Sequence, residues 1–148
     1  MLPDPADFSY WYPVEVRFKD IDVGGHAHHS TALVYFEEAR GGYWREVVGQ
    51  ASLNEVDFIL AEARVRYHKR VLYPLRLQVG VRVPLLGKKH FVMEYVALDP
   101  EGGILLSGET TMVMFDYEHG RSKSISPEVR GAVEAQEATV TEREGRKD

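Results

Sequence analysis

The fold is decided by residues 17–40, which read RFKDIDVGGHAHHSTALVYFEEAR. Residues 13–18, PVEVRF, alternate apolar and polar side chains, which predicts a half-buried β-strand. The stretch from Asp20 to Gly25 interrupts that strand. From Ser30 onward the apolar residues recur every three or four positions, which predicts one face of a helix. The residues of this face are Ala32, Phe36, Ala39, Tyr43 and Val47.

The predicted helix has a start signal and a stop signal. A hydroxyl from Ser30 or Thr31 is suited to cap its first turn, and Gly49 is suited to end it. Gly41 and Gly42 weaken the helix by about 1 kcal/mol each relative to alanine. A buried helix accepts that loss where a sheet lies close against its backbone, so we predict a helix enclosed by a sheet.

Four segments with strand character follow the predicted helix. They cover residues 58–69, 75–85, 89–98 and 104–117, and turn residues separate them. The second segment shows the clearest alternation of apolar and polar side chains. The last three segments are closely spaced, which favours an antiparallel meander. The sequence therefore predicts an α+β fold in which a five-stranded antiparallel sheet wraps around one long central helix.

The composition limits the class of protein. The 148 residues suffice for one domain, and the net charge of −5 predicts no nucleic-acid partner and no membrane binding. The absence of cysteine excludes disulfides and thiolate catalysis. The N-terminus lacks a signal-peptide pattern, and no segment reaches the roughly 18 apolar residues of a membrane span. We expect a soluble, cytoplasmic protein with one domain over residues 1–130 and a charged tail, helical or disordered, over residues 131–148.

The opening stretch resembles the signature of the hotdog-fold acyl-CoA thioesterases of the 4-hydroxybenzoyl-CoA thioesterase type. That signature is a strand ending in Asp-x-Asp-x-x-Gly, followed by a helix with an acidic residue and an Ala-Arg pair. The matching residues are Asp20, Asp22, Gly25, Glu37, Ala39 and Arg40. With the order of elements, the resemblance covers about residues 12–128.

The resemblance implies specific roles. Asp22 corresponds to the catalytic carboxylate, whereas Asp20 corresponds to a structural residue. Backbone N–H groups at the helix start, at His29 and its neighbours, correspond to the oxyanion site. Ala32 stands where the family commonly has an aromatic residue, which implies a roomier or differently shaped acyl pocket.

The same residues have the chemistry that thioester hydrolysis requires. Attack on the carbonyl carbon needs a nucleophile or a base, and the oxygen that becomes negative needs hydrogen-bond donors. Asp22 supplies a carboxylate next to a helix N-terminus, whose free N–H groups supply the donors. Gly25 lets the backbone approach a substrate closely. Asp22 either attacks the carbonyl or activates water, and His26, His28 or His29 is available to orient either group.

Two non-catalytic interpretations compete with this one. Asp-x-Asp pairs also occur in Asx turns and at helix entries, which we favour for Asp20 but not for Asp22. The three histidines beside the two aspartates also resemble a metal site. No second matching pair of ligands occurs elsewhere in the chain, so we predict neither a metal nor a cofactor.

Charged residues elsewhere provide further candidates for substrate binding. Glu37 is the second candidate for the catalytic carboxylate and a possible partner of Arg40, and Glu38 faces away from the apolar face. Lys88 and Lys89 lie at predicted strand ends, as do the basic residues at positions 69 and 70. Such groups bind CoA phosphates, although lysines at strand ends also discourage edge pairing.

Three function classes fit this pattern. The first is an acyl-CoA thioesterase. The second is a hotdog hydratase that acts on enoyl-CoA with Asp22 and His28, and the third is a non-catalytic acyl-CoA-binding protein. A small curled sheet leaves its edges open, and the resemblance implies an active site at a two-fold interface. We therefore expect a homodimer or homotetramer in which residues 58–67 of a partner chain complete the pocket.

Overall fold

A computed structural model describes residues 2–50, 56–138 and 140–143. Five long strands follow one another as antiparallel neighbours in the order β1-β3-β4-β5-β2. Their bounds are β1 Tyr10–Glu15, β2 Phe58–Tyr67, β3 Arg76–Gly87, β4 His90–Leu98 and β5 Ile104–Asp116. The predicted α+β fold with its five-stranded antiparallel sheet is confirmed, and the last three strands form the predicted meander.

The central helix, α1, spans Thr31–Tyr43 and continues as a π-helical turn over Trp44–Val48. It ends at Gly49, whose φ of 89° is favourable only for glycine, so the predicted stop signal is confirmed. The predicted apolar face is buried except at its last position. Phe36 on this face stacks on Tyr95 of β4 with ring centroids 4.6 Å apart, which fixes the helix against the middle of the sheet.

The two glycines of α1 have different surroundings. A Cβ atom at Gly42 would collide with the side chains of Tyr10 and Tyr12, so strand β1 lies against the helix at this point. Among the described residues, a Cβ atom at Gly41 would meet only the guanidinium of Arg45, at 3.3 Å. The predicted close approach of the sheet is therefore confirmed for Gly42 and wrong for Gly41.

Strand β2 is an edge strand with little cover from its own chain. The backbone of α1 lies closest to β1 and β3, and its Phe36 side chain reaches Tyr95 of β4. Apolar side chains on both α1 and β2 remain exposed. We call them the apolar strip, and they are Leu33, Val34, Leu60 and Tyr67.

The C-terminal segment packs onto the same core. Helix α2 spans Pro127–Gln136, is capped by the Ser126 hydroxyl, and buries Val129 and Val133. It therefore crosses the boundary predicted at residue 130. Strand β6, Arg121–Ser122, pairs with β5, and β7, Thr141–Arg143, pairs in parallel with β3. The rest of the predicted tail, residues 144–148, lies outside the described residues, and no described helix is long and apolar enough to cross a membrane.

Candidate active site

Asp20 holds the loop between β1 and α1. Its side chain is buried, and its Oδ2 atom accepts hydrogen bonds from the Arg17 backbone N–H and the Tyr35 hydroxyl, each at 2.9 Å. Its carbonyl accepts the N–H of His28 at 2.8 Å. Burial raises the pKa of Tyr35 above its usual value, so this hydroxyl stays protonated and remains a donor. These contacts are those of a structural residue.

Asp22 has a different environment. It is half-buried, and its Oδ1 atom accepts the N–H of Gly24 at 2.8 Å, which forms an Asx turn. No donor among the described residues reaches the other carboxylate oxygen, Oδ2. The turn continues through Gly25, whose φ is 82° and whose N–H donates to the Asp22 carbonyl at 3.1 Å. The turn thus engages one oxygen of this carboxylate and leaves the second without a partner.

The histidines that follow have separate local roles. The Nδ1 atom of His28 lies 2.8 Å from the Ser30 hydroxyl and accepts the Ser30 N–H at 3.1 Å. The rings of His28 and His29 are 4.0 Å apart, and His26 is half-buried beside Gly24. Within the described ranges, three metal-ligating atoms come within 4.8 Å of one another at Asp116, Glu118 and His119, and not in this histidine-rich loop.

The start of α1 lacks the predicted side-chain cap. Ser30 occupies the N-cap position, but its hydroxyl contacts His28 and accepts no bond from the first turn. The Thr31 hydroxyl donates to the His28 carbonyl at 2.7 Å, so it does not cap the turn either. The prediction of a hydroxyl cap is therefore wrong. The Thr31 N–H is bonded to the His28 carbonyl, and no side chain among the described residues accepts from the N–H groups that follow it in the first turn of α1. Free N–H groups at a helix start are what a site for a negatively charged oxygen requires.

A cavity of about 400 Å³ connects these groups. Its polar wall contains Asp22 and the three histidines, and its apolar wall contains Ala32, Val71 and Leu106. The wall contributed by the end of β2 and the residues after it consists of Tyr67, His68, Lys69 and Arg70. The ring of His68 is bonded to Ser107, with 2.7 Å between His68 Nε2 and Ser107 Oγ.

Three predicted substrate-binding residues lie away from this cavity. Glu37 lines a second cavity of about 450 Å³, where its carboxylate is 3.5 Å from the buried guanidinium of Arg40. Lys88 and Lys89 occupy the turn between β3 and β4, and the Lys89 carbonyl accepts the N–H of Met114. Because Met114 is eight residues beyond Leu106 on β5, and strands rise about 3.3 Å per residue, this turn is roughly 25 Å from the first cavity.

The comparison with family models decides the class of this chain. The model of the thioesterase-like superfamily matches residues 16–133. The chain belongs to the thioesterase-like superfamily. The matched range contains α1, all the long strands except β1, and every residue of the first cavity.

Several relatives of this superfamily member carry names or ligands. The chain is 26% identical over 123 residues to the uncharacterised protein YsmA of Bacillus subtilis, covering 83% of this chain and 84% of that protein. It is 22% identical over 127 residues to the long-chain acyl-CoA thioesterase FadM of Escherichia coli, covering 82% and 94%. A thioesterase from Thermus thermophilus, solved with coenzyme A and Zn, superposes with a TM-score of 0.82 at 28% identity and covers 91% and 98%.

Sequence patterns alone do not indicate some of the residues that line the cavity of this thioesterase-like chain. Tyr35 was missed because its helical position lies beside the predicted apolar face, not on it. Tyr67 and His68 were missed as residues of the chain's own site, because the sequence does not reveal that β2 pairs with β5 and brings Tyr67 opposite Leu106. The run of four polar or basic residues at positions 67–70 was the available signal.

Proposed function

We propose that the protein hydrolyses an acyl-CoA thioester to a free acid and CoA. One observation supports this function above the others: the Asp22 carboxylate and the uncapped start of α1 adjoin the same partly apolar cavity. The carboxylate supplies a nucleophile or base, and the helix start supplies donors for the oxyanion. The likeness to an acyl-CoA thioesterase and to a thioesterase solved with coenzyme A supports the substrate class.

In this mechanism the thioester carbonyl binds with its oxygen toward the His29 backbone N–H. Asp22 then either attacks the carbonyl carbon and forms a mixed anhydride, or removes a proton from an attacking water. In both cases the carbon–sulfur bond breaks and CoA leaves as the thiolate. Water supplies the oxygen of the product acid, and the anhydride route needs a second hydrolytic step. Gly25 leaves room beside the turn, and His26 and His28 line the cavity, where they are available to orient the water.

The CoA phosphates require cations near the mouth of the cavity. Lys69 and Arg70 line the cavity, so we assign this role to them. Lys88, Lys89 and Glu37 do not line the first cavity, so their roles in substrate binding stay predictions.

We also propose a homodimer built on β2. The free edge of β2 and the apolar strip together offer unpaired backbone groups and exposed apolar area. Two copies that pair antiparallel along β2 would satisfy the backbone groups of both edges and would cover the apolar strip. In such a two-fold arrangement the same surface of each copy contacts that of the other, so both free edges are covered at once.

An activity panel tests the proposed function. The purified protein is incubated with acyl-CoA substrates of increasing length and with an aromatic acyl-CoA, and thiol release is followed with a chromogenic disulfide. We expect hydrolysis that Asp22→Asn abolishes. Faster hydration of an enoyl-CoA than cleavage of any thioester would favour a hydratase, and CoA binding without turnover would favour a binding protein.

A further inference from the structure

We infer that Tyr67 is a positioning residue for the oxyanion donor, an inference that rests on the proposed thioesterase function. Tyr67 is the last residue of β2, and its ring lines the first cavity. Its hydroxyl donates a 2.7 Å hydrogen bond to the carbonyl of His29. The bond joins the end of an edge strand to the residue just before the helix start.

Two peptide planes meet at the Cα atom of His29, and separate hydrogen bonds hold them. The N–H of His28 donates to the Asp20 carbonyl at 2.8 Å, and the N–H of Thr31 donates to the His28 carbonyl at 3.0 Å. The Ser30 N–H is bonded to the His28 ring. In the part of the chain that the structure describes, the His29 N–H has no acceptor, and its carbonyl accepts only the Tyr67 hydroxyl.

This arrangement suits a donor that must point at a substrate. A free N–H stabilises an oxyanion only if its direction is fixed before the reaction, because reorganisation during the reaction costs rate. The His29 N–H lies in one peptide plane with the His28 carbonyl, which the N–H and hydroxyl of Thr31 hold. The Tyr67 bond holds the next plane, that of the His29 carbonyl, so both planes that meet at the His29 Cα atom are restrained. No described residue occupies the N–H itself. A small rotation of the residue would misdirect the donor, and small misplacements at a reaction centre lower the rate markedly.

Tyr117 offers a matched control elsewhere in the chain. It is 60% exposed, against 54% for Tyr67. Its hydroxyl also donates to a backbone carbonyl, that of Phe58, at 2.8 Å. Phe58 is at the opposite end of β2, and neither Tyr117 nor Phe58 lines the first cavity. The two tyrosines therefore make the same kind of bond at opposite ends of one strand, but only one bond reaches the candidate site.

The experiment compares Tyr67→Phe with Tyr117→Phe in the full chain. We expect kcat to fall about tenfold in Tyr67→Phe, less than the loss of a whole oxyanion donor, and to stay unchanged in Tyr117→Phe. The KM for acyl-CoA, the affinity for CoA, the elution volume on size exclusion and the small decrease in Tm should match in the two variants. An equal kcat in both variants, or a loss of kcat that follows Tm or oligomeric state, would overturn the inference.

A second measurement does not depend on activity. Hydrogen exchange of the Ser30 and Thr31 amides, followed by NMR without substrate, should accelerate several-fold in Tyr67→Phe and remain at the wild-type rate in Tyr117→Phe. Unchanged exchange in Tyr67→Phe would overturn the positioning role. If the wild-type protein hydrolyses no thioester, the proposed function fails, while the exchange rates still decide whether Tyr67 orders the loop.

Discussion

The two cavities along the central helix differ in how their carboxylates are paired. In the second cavity, Glu38 is bound by the Arg17 guanidinium at 2.9 Å, and Glu37 lies 3.5 Å from Arg40. In the first cavity, one oxygen of Asp22 has no partner among the described residues, and the helix start next to it has no side-chain cap. The cavities have similar volumes, so volume does not distinguish them.

This difference indicates which cavity contains a carboxylate that is free to react with a substrate. A carboxylate that is already bound to a guanidinium is stabilised as an anion and is a weaker base or nucleophile toward a substrate. A carboxylate with a free oxygen next to unoccupied N–H donors is ready to react. The contrast predicts that substitutions at the two cavities have effects of different kind and size.

The largest effect is expected for Asp22→Asn. Asparagine keeps the size and an oxygen for the Gly24 bond, but it is neither an anion nor a base. Loss of general-base catalysis costs about 10²–10⁴-fold in kcat, while Tm should stay near the wild-type value. Glu37→Gln, the matched change at the second cavity, should leave kcat nearly normal. If Glu37→Gln lost turnover and Asp22→Asn kept it, the catalytic carboxylate would be Glu37 and the assignment of Asp22 would be wrong.

A large but different effect is expected for Asp20→Asn. Its carboxylate accepts two hydrogen bonds within the protein, and one comes from the buried hydroxyl of Tyr35. Weakening a buried, charge-assisted pair costs about 1–3 kcal/mol of unfolding free energy. Urea unfolding should therefore show a clear loss of stability, with a smaller decrease in kcat than in Asp22→Asn. If the loss of stability is absent, Asp20 does not hold the loop as described.

A moderate effect is expected for Ala32→Phe. Ala32 is buried and lines the first cavity, so a phenyl ring there reduces the space for an acyl group. We expect kcat/KM for long or bulky acyl-CoA substrates to fall about tenfold, since a difference of one methylene in an apolar substrate pocket changes transition-state binding by about 1–3 kcal/mol. Hydrolysis of acetyl-CoA serves as the internal control and should change less. An equal decrease for all substrates would show that Ala32 does not limit acyl size.

The smallest effect is expected for Glu38→Gln at the second cavity. The change removes an exposed ion pair with Arg17, and such pairs contribute about 0.2–1 kcal/mol to stability. The decrease in Tm should shrink further in high salt, because salt screens exposed charges. Turnover should remain at the wild-type level. A rate loss as large as that of Asp22→Asn would mean that the two cavities act together.

Much of the fold could be predicted from local patterns. The change from a two-residue to a 3.6-residue period at Ser30, and the alternation at residues 75–85, correspond to β1, α1 and β3 in the structure. The structure gives Asp20 and Asp22 different environments, one buried and one half-buried, and the catalytic role of Asp22 stays a prediction. Local periodicity suffices here because each element buries one continuous face.

The rest depended on contacts that are remote in sequence. The pairing of β2 with β5 brings Tyr67 to the helix start, and the turn with Lys88 and Lys89 falls at the opposite end of the sheet. Neither placement follows from residue spacing within one segment. The side-chain cap at Ser30 failed for a local reason, because the neighbouring His28 ring competes for its hydroxyl.

The two adjacent glycines of α1 should differ in how well they tolerate substitution. At Gly42 any side chain would collide with the rings of Tyr10 and Tyr12 on β1, so a saturation library should be depleted of substitutions there. At Gly41 the only near atom is the end of a flexible arginine, and alanine would gain about 1 kcal/mol of helix propensity. Gly41→Ala is therefore a starting point for a thermostable variant, one residue away from a position where any side chain would displace Tyr10 and Tyr12.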